Sequence, residues 1–232
     1  LASVAVSTEL IVADPREALL EAAEAASSLV VGSRGRGRLR SMTLGSVGVW
    51  VSQHAPCPVL ISRPPRPGTE HVGLAVGVDG THTSSAALAF AYAQASLRRV
   101  PLTVIHCVDE PRPGAYGVSG QADAELVDVP GHRRAVAESL AGFAETYPDV
   151  EVDVEVTRAR PHVFLSHLAP PPVLLVIGTR QRSKMGAFFG GSVSRAVVEH
   201  ARCTVAVVPV LESDHPGPGS TGSATSAAHV TG

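Results

Sequence analysis

Part of this chain is written twice, and the duplication limits both the kind of fold and the number of units. Gly32-Ser-Arg-Gly35 runs through a basic loop to Gly45-Ser46-Val47, and Gly178-Thr-Arg-Gln181 runs through another to Gly191-Ser192-Val193. Each stretch follows a short apolar run, Leu29 to Val31 or Val173 to Ile177. Each leads into a helical pattern closed by His-Ala-x-Cys, at His54 to Cys57 and at His200 to Cys203. Gly32 and Gly178 stand 146 positions apart, as do Cys57 and Cys203, so the copies align without a gap. An internal repeat of that length reads as two related structural units. Strand, glycine-bearing loop and helix N-terminus together make a geometry suited to holding phosphate, and it occurs here twice.

With 232 residues, 44% hydrophobic and 17% charged, the chain has material for packed cores in both units. A net charge of −2 gives no electrostatic reason to expect nucleic acid or an anionic membrane as partner. No apolar run reaches the roughly 18 residues of a membrane span. The three cysteines, Cys57, Cys107 and Cys203, form no CxxC pair and are odd in number, which suits reduced thiols in a cytoplasmic protein. Lys184 is the only lysine and is followed by Met185. A Gly-Lys-Ser/Thr phosphate loop and the strand lysine of a protein kinase are therefore both excluded. Phosphate held here is held by backbone N–H groups, hydroxyls and arginines.

Alternating strand and helix signals run the length of both units. Val4 to Ala13 reads as a strand, and Asp14-Pro15-Arg16-Glu17 as a capped helix start. A buried strand over Ser28 to Val31, a helix over Gly45 to His54 and a strand over Pro58 to Ser62 complete the first unit. The second shows strands at Val72 to Val78, Leu102 to Cys107, Val150 to Val156, Val173 to Ile177 and Thr204 to Pro209. Its helices are expected at Thr83 to Arg98, Arg133 to Thr146, Pro161 to Leu168 and Gly191 to Ala201. Such alternation implies a parallel sheet covered by helices on both faces. Residues 1–63 thus form a partial unit, 64–71 a proline-rich linker, 72–210 a complete unit and 211–232 a disordered tail. The first unit matches only the back half of the second, as though two strands and two helices were missing ahead of Leu1.

The spacing Gly-x2-Gly-x9-Gly-Ser, carried by Gly32, Gly35, Gly45 and Ser46, resembles the ATP-binding signature of the universal stress protein family. The flanking Leu29-Val-Val-Gly-Ser-Arg-Gly and Gln53-His-Ala-Pro-Cys-Pro-Val are similar to that family too, as is Gly77-Val-Asp79-Gly80 at the start of the second unit. The resemblance implies a Rossmann-like α/β fold with an open, parallel, five-stranded sheet in the order 3-2-1-4-5, preceded here by a partial copy in an N-terminally truncated tandem chain. It implies ATP as ligand, with Mg2+ as an accompanying ion, a regulatory or protective role without turnover, and pairing through last strands, either in a homodimer or between the two units. Carried over by position, Asp79 would meet the ribose or adenine end and Cys107 an apolar adenine-side position. Gly178, Gly191, Ser192 and Val193 would form the phosphate end, as would Gly32, Gly35, Gly45, Ser46 and Val47 in the first unit.

Other readings of the same residues stay open. Asp79 is also a turn-forming carboxylate capping the next helix, Cys107 a small buried residue, Ser46 a helix cap, and the arginines at 34, 36, 38 and 40 solvated loop charges. Gln181 replaces the second glycine of the pattern, and the first unit has no counterpart to Asp79. A nucleotide-independent interaction module of the same fold is therefore the alternative. A slow ATPase ranks third, because no general base or metal cluster accompanies the loops. Ser46 and Ser192 lie in Gly-Ser-Val, not in a nucleophile elbow.

Overall fold

The computed structural model describes residues 4–33, 45–64, 68–109, 125–126, 130–180 and 192–210. In the first unit, α1 (Pro15–Glu24) is followed by β1 (Leu29–Gly32), α2 (Ser46–His54) and β2 (Val59–Ser62). The second unit opens with β3 (Leu74–Val78), a short 3-10 turn, α3 (Ser85–Arg98) and β4 (Leu102–Val108). It continues with β5 (Glu125–Leu126), α4 (Pro130–Leu140), α5 (Phe143–Thr146), β6 (Val152–Arg158) and α6 (Pro161–Ser166), and ends with β7 (Leu174–Arg180), α7 (Ser192–His200) and β8 (Thr204–Val210). The start of α1 obeys its local chemistry: Asp14 Oδ1 accepts from the Arg16 N–H at 2.8 Å, and Pro15 occupies the first turn.

All eight strands belong to one sheet, in the order β1-β2-β8-β7-β3-β4-β6-β5. The five long strands of the second unit run parallel to one another as β6-β4-β3-β7-β8. The sheet departs from a plain five-stranded parallel order by its three further strands. β5 adds an antiparallel edge on β6. On the other side β2 joins β8 antiparallel, with Val59 opposite Val207 and Ile61 opposite Val205, and β1 continues beyond it parallel to β2. The two last strands thus pair within one chain, and the edge of β8 is used up in doing so.

One face of this sheet carries α1, α2, α6 and α7 over a single core that includes Ala23, Val51, Ile61, Leu165, Leu175, Val197, Val198 and Val207. Both units contribute to it. α3, α4 and α5 cover the other face, where Leu88, Tyr92 and Val136 pack on Val76, Val104 and Val176. Among the described residues, that second layer reaches past β8 to Leu60 of β2 and does not cover β1. Val30 on β1 is 63% exposed, whereas Val176, its counterpart 146 positions on, is 0% exposed beneath α3. Arg63 fastens the two units at the joint: its Nη2 donates to the main-chain oxygens of Val198 at 2.5 Å and Glu199 at 3.4 Å, at the C-terminus of α7.

Two expectations are corrected. Val4 to Ala13 is not a strand but an extended surface segment, with Val4, Val6, Leu10 and Val12 each more than four-fifths exposed. A strand needs a ladder, and no described strand lies beside these residues to offer one. The helix expected over Arg133 to Thr146 is two helices, parted at Gly142, whose φ of 85° no continuing helix tolerates. The short strand β5 was not expected at all. The proposed tail, residues 211–232, lies outside the described residues.

Candidate functional site

Strand order reverses around β3, which sends its chain first to β4 on one side and later receives β7 on the other. In an open α/β sheet, the crevice beyond the carboxyl ends at such a point is where ligands bind. Register shows what meets there. Val78 pairs with His106 and Gly77 with Ile177, so carrying both registers on to position 79 sets Asp79 between Cys107 and Thr179. By alternation along the strands, all three lie on the α6–α7 side of the sheet. α7 begins at Ser192, beyond the end of β7, and Val193 packs into the core beneath it. Asp79, Cys107, Gly178, Ser192 and Val193 are therefore gathered at one end of the sheet. Gly191 and Gln181 lie outside the described residues.

Asp79 is held by its own turn. Its Oδ1 accepts from the Thr81 N–H at 3.0 Å, the Thr81 hydroxyl at 2.7 Å and the Ser84 hydroxyl at 2.8 Å, and its Oδ2 from the Thr83 hydroxyl at 3.0 Å. The Asp79 N–H in turn donates to Ser84 Oγ at 3.0 Å. Burial alone pushes this carboxyl up, but the donors on Thr81, Ser84 and Thr83 outweigh it and hold the carboxyl below its ordinary value. The turn-forming reading of Asp79 thus has a direct structural basis. It also leaves a preorganised anion at the mouth of the crevice.

Cys107 is half-buried against the core under α6 and α7. Burial pushes its thiol up to about 12, and the carboxylates of Glu155 and Asp109 add to the effect. It presents a neutral, apolar wall and no nucleophile. At Gly178, an added Cβ would come within 3.4 Å of Val210 Cγ2 and 3.9 Å of Ala87 Cβ. That glycine thus lets β7 close on β8 and α3.

The first copy lies at the opposite end. Since β2 runs antiparallel to β8, the carboxyl ends of β1 and β2 point away from those of β3, β4 and β7. Gly32 ends β1, and the Ser33 N–H ties the following turn to the Ser62 oxygen at 3.0 Å. Gly45 caps α2 without a side-chain hydrogen bond, and a Cβ there would have nothing within 4 Å. Ser46 is exposed, while Val47 packs on the core. The first N–H groups of this helix start, behind a glycine, suit an anion. Gly35 and the arginines at 34, 36, 38 and 40 lie outside the described residues. No described strand borders β1 on its outer side, so nothing here corresponds to Asp79.

Several site residues escaped the sequence reading. Thr81, Thr83 and Ser84 matter through their hydroxyls, and the signal was there in a run of hydroxyl residues just after an Asp-Gly turn. His106 is 6% exposed, its Nδ1 lies 3.1 Å from the Val78 oxygen, and its Nε2 lies 3.0 Å from Nδ1 of His132 on α4. A polar residue inside the apolar run of β4 was its only trace. Among the described residues, no three His, Cys, Asp or Glu side chains gather as a metal-binding group. No helix among them is long and apolar enough to cross a membrane.

Comparison with known proteins agrees with this architecture. The universal stress protein family description matches residues 1–63 and 74–209. The universal stress protein Rv2005c of Mycobacterium tuberculosis is 34% identical over 209 residues, which span 87% of this chain and 68% of that protein. Universal stress protein Rv2623 of the same species matches with the same identity and coverage. A crystal structure of a universal stress protein from Archaeoglobus fulgidus shares the fold at a TM-score of 0.55 and 20% identity, covering 86% of this chain and 66% of its own. Both repeated halves fit one description, and relatives a third identical extend over most of the length: the chain belongs to the universal stress protein family.

Proposed function

We propose that this protein binds an adenine nucleotide, ATP foremost, at the carboxyl end of β3, β4 and β7, and that it acts as a cytoplasmic regulatory or stress-protective module without turning the nucleotide over. The observation that carries the reading is the convergence of Asp79, Cys107 and the start of α7 at the strand-order reversal. The neutral, half-buried Cys107 suits the flat apolar face of a base. Asp79, fixed by three hydroxyl side chains, suits a ribose or adenine donor. The N–H groups at the start of α7 suit the phosphates, whose negative charge Mg2+ would offset when it accompanies the nucleotide. The first copy, with the more complete glycine pattern but no carboxylate beside it, would take phosphate without recognising the base.

A second reading is a nucleotide-independent interaction module. It is favoured by the number of donors already spent on Asp79 and by the glutamine at 181. If position 181 needs a left-handed backbone, the side chain there costs about 1 kcal/mol, or about five-fold in affinity. Calorimetric titration of the whole chain with ATP decides between them. Saturable binding that tightens in Gln181→Gly and weakens in Asp79→Ala is expected. Heat flat at the dilution level for both the parent chain and Gln181→Gly would leave the interaction module as the function. Phosphate release above a protein-free control would show turnover.

A further inference from the structure

His106 and His132 share a hydrogen bond that can hold only one proton, and its position gives it a consequence. The Val78 carbonyl facing His106 Nδ1 can only accept, so that nitrogen carries a hydrogen. What remains is the 3.0 Å axis between His106 Nε2 and His132 Nδ1. Either a bare Nε2 accepts from His132 Nδ1–H, or a cationic His106 donates through Nε2–H to a bare Nδ1. If both rings are fully protonated, neither nitrogen has a lone pair left, and two like charges face each other with ring centroids 5.1 Å apart. The linked pair therefore carries zero or one positive charge, never two.

The bond joins the first turn of α4 to His106 of β4, whose other ring nitrogen is tied to the Val78 carbonyl just ahead of the Asp79 turn. Gly80 has φ of 75°, and a Cβ there would come within 3.4 Å of His106 Cε1 and 3.6 Å of Ala135 Cβ on α4. One side chain of β4 and one of α4 thus border the same glycine. We propose that the His106–His132 bond is a pH-operated latch: closed at neutral pH it docks the start of α4 on the Asp79–Gly80 turn, and at acid pH a second proton opens it. The charged groups on the described elements around the pair are Asp79 beyond β3, Asp109 at the end of β4, Asp153, Glu155 and Arg158 on β6, Glu125 opposite Arg158 on β5, and Arg133, Arg134 and Glu138 on α4. Arg134 is tied to Glu138 at 2.8 Å. Asp79 falls on the opposite face of the sheet by strand alternation, while Arg158 shares the face of His106. His132 also stands at the positive end of the α4 dipole. With both rings protonated neither facing nitrogen has a lone pair to accept with, so the second proton cannot be taken while the latch is closed. The unfolded chain accepts both protons freely, so linkage makes the closed latch weaker as pH falls.

Amide hydrogen exchange on the full chain tests this, read as protection factors of α4 relative to those of α3. In the parent chain, α4 protection is expected to fall roughly five-fold between about pH 8 and pH 5, the worth of one hydrogen bond. His132→Asn puts an amide where Nδ1 stood, able to donate to or accept from His106 without titrating, and should hold protection level across that range. His132→Leu should show the low value throughout. Relative protection that does not change with pH in the parent chain, that falls equally in His132→Asn, or that stays high in His132→Leu overturns the latch. Its effect on ligand affinity rests on the nucleotide reading above: ATP affinity should fall with pH in the parent chain more than in His132→Asn. The expected exchange pattern with no ATP binding at either pH would support the latch and remove the nucleotide reading instead.

Discussion

Position 30 and position 176 hold the same residue at equivalent points of the repeat, yet one faces solvent and the other is sealed. That contrast yields a controlled experiment, Val30→Ala against Val176→Ala. Val176 is 0% exposed, between Val76 on β3 and Ala206 on β8 and under α3. Removing its two methyl groups costs about 1.6 kcal/mol in transfer at about 0.8 per buried carbon. The space left behind adds about 1 kcal/mol, because a sheet core relaxes only partly. Val30 is 63% exposed on an edge strand, so only about a third of the transfer cost applies, roughly 0.5 kcal/mol, with little cavity. The loss of β-branching is common to both changes and cancels in the comparison. The expected difference is about 2 kcal/mol, close to thirty-fold in the folding constant. Urea unfolding, followed by far-ultraviolet circular dichroism and by the fluorescence of Trp50, the only tryptophan, measures it. Equal destabilisation by the two substitutions would show that the α3-side layer continues over β1, and would refute the reasoning.

Three further outcomes follow from named contacts. Arg63→Ala should cost about 2 kcal/mol in the same urea assay, because it strips a charge-assisted donor from the last carbonyls of α7; Arg63→Lys should recover only part of that, and a loss below about 0.5 kcal/mol for Arg63→Ala would mean that the guanidinium does not fasten the joint. Asp79→Asn should cost roughly 1 kcal/mol near neutral pH, since an amide replaces one accepting oxygen by a donor amid three hydroxyl side chains. The folded-state value of Asp79 is lowered, so its contribution is present above the ordinary value of 3.8 and is lost as pH falls below it; parent and variant should converge there, and a gap that persists in acid contradicts the assigned contacts. Burial pushes the thiols of Cys107 and Cys203 up to about 12 and about 11, and raises that of Cys57 as well. A thiol-disulfide reagent at mildly alkaline pH should therefore modify the native chain far more slowly than the chain in guanidinium, and prompt native labelling of any one cysteine would contradict that placement.

What could be read from the sequence was what local chemistry decides. Asp14-Pro15 begins a helix because a carboxylate and a fixed φ suffice, whatever lies nearby. The repeated Gly-Ser starts are legible for the same reason, and the alternation of strand and helix signals then sets the fold class. Val4 to Ala13 was misread because its composition favours a strand, while a strand exists only beside a partner that offers a ladder. β5 is the converse: two residues of no marked propensity become a strand because Arg158 and Thr157 of β6 stand opposite them. At the site, Asp79 and Gly178 could be named as candidates through the family resemblance of the residues around them. The link between His106 and His132, 26 positions apart, could not, since it depends on where α4 lands after a long connection.

The antiparallel joint between β2 and β8 also settles how the two half-sites relate. The ends of a seven-residue strand such as β8 lie about 20 Å apart, and the two copies open at opposite ends of the sheet. The carboxylate-bearing crevice of the second unit therefore cannot borrow the glycine pattern of the first to hold one nucleotide. A ligand taken by either copy would be held by that copy alone, and Gln181→Gly should act on the second unit only. What the copies do share is the core between α2 and α7, where Val51 meets the same cluster as Val197 and Val198. A shift of α7 on taking phosphate would be felt at α2 through that packing, so any coupling between the copies would be mechanical and would be lost first when the core beneath Val51 is loosened.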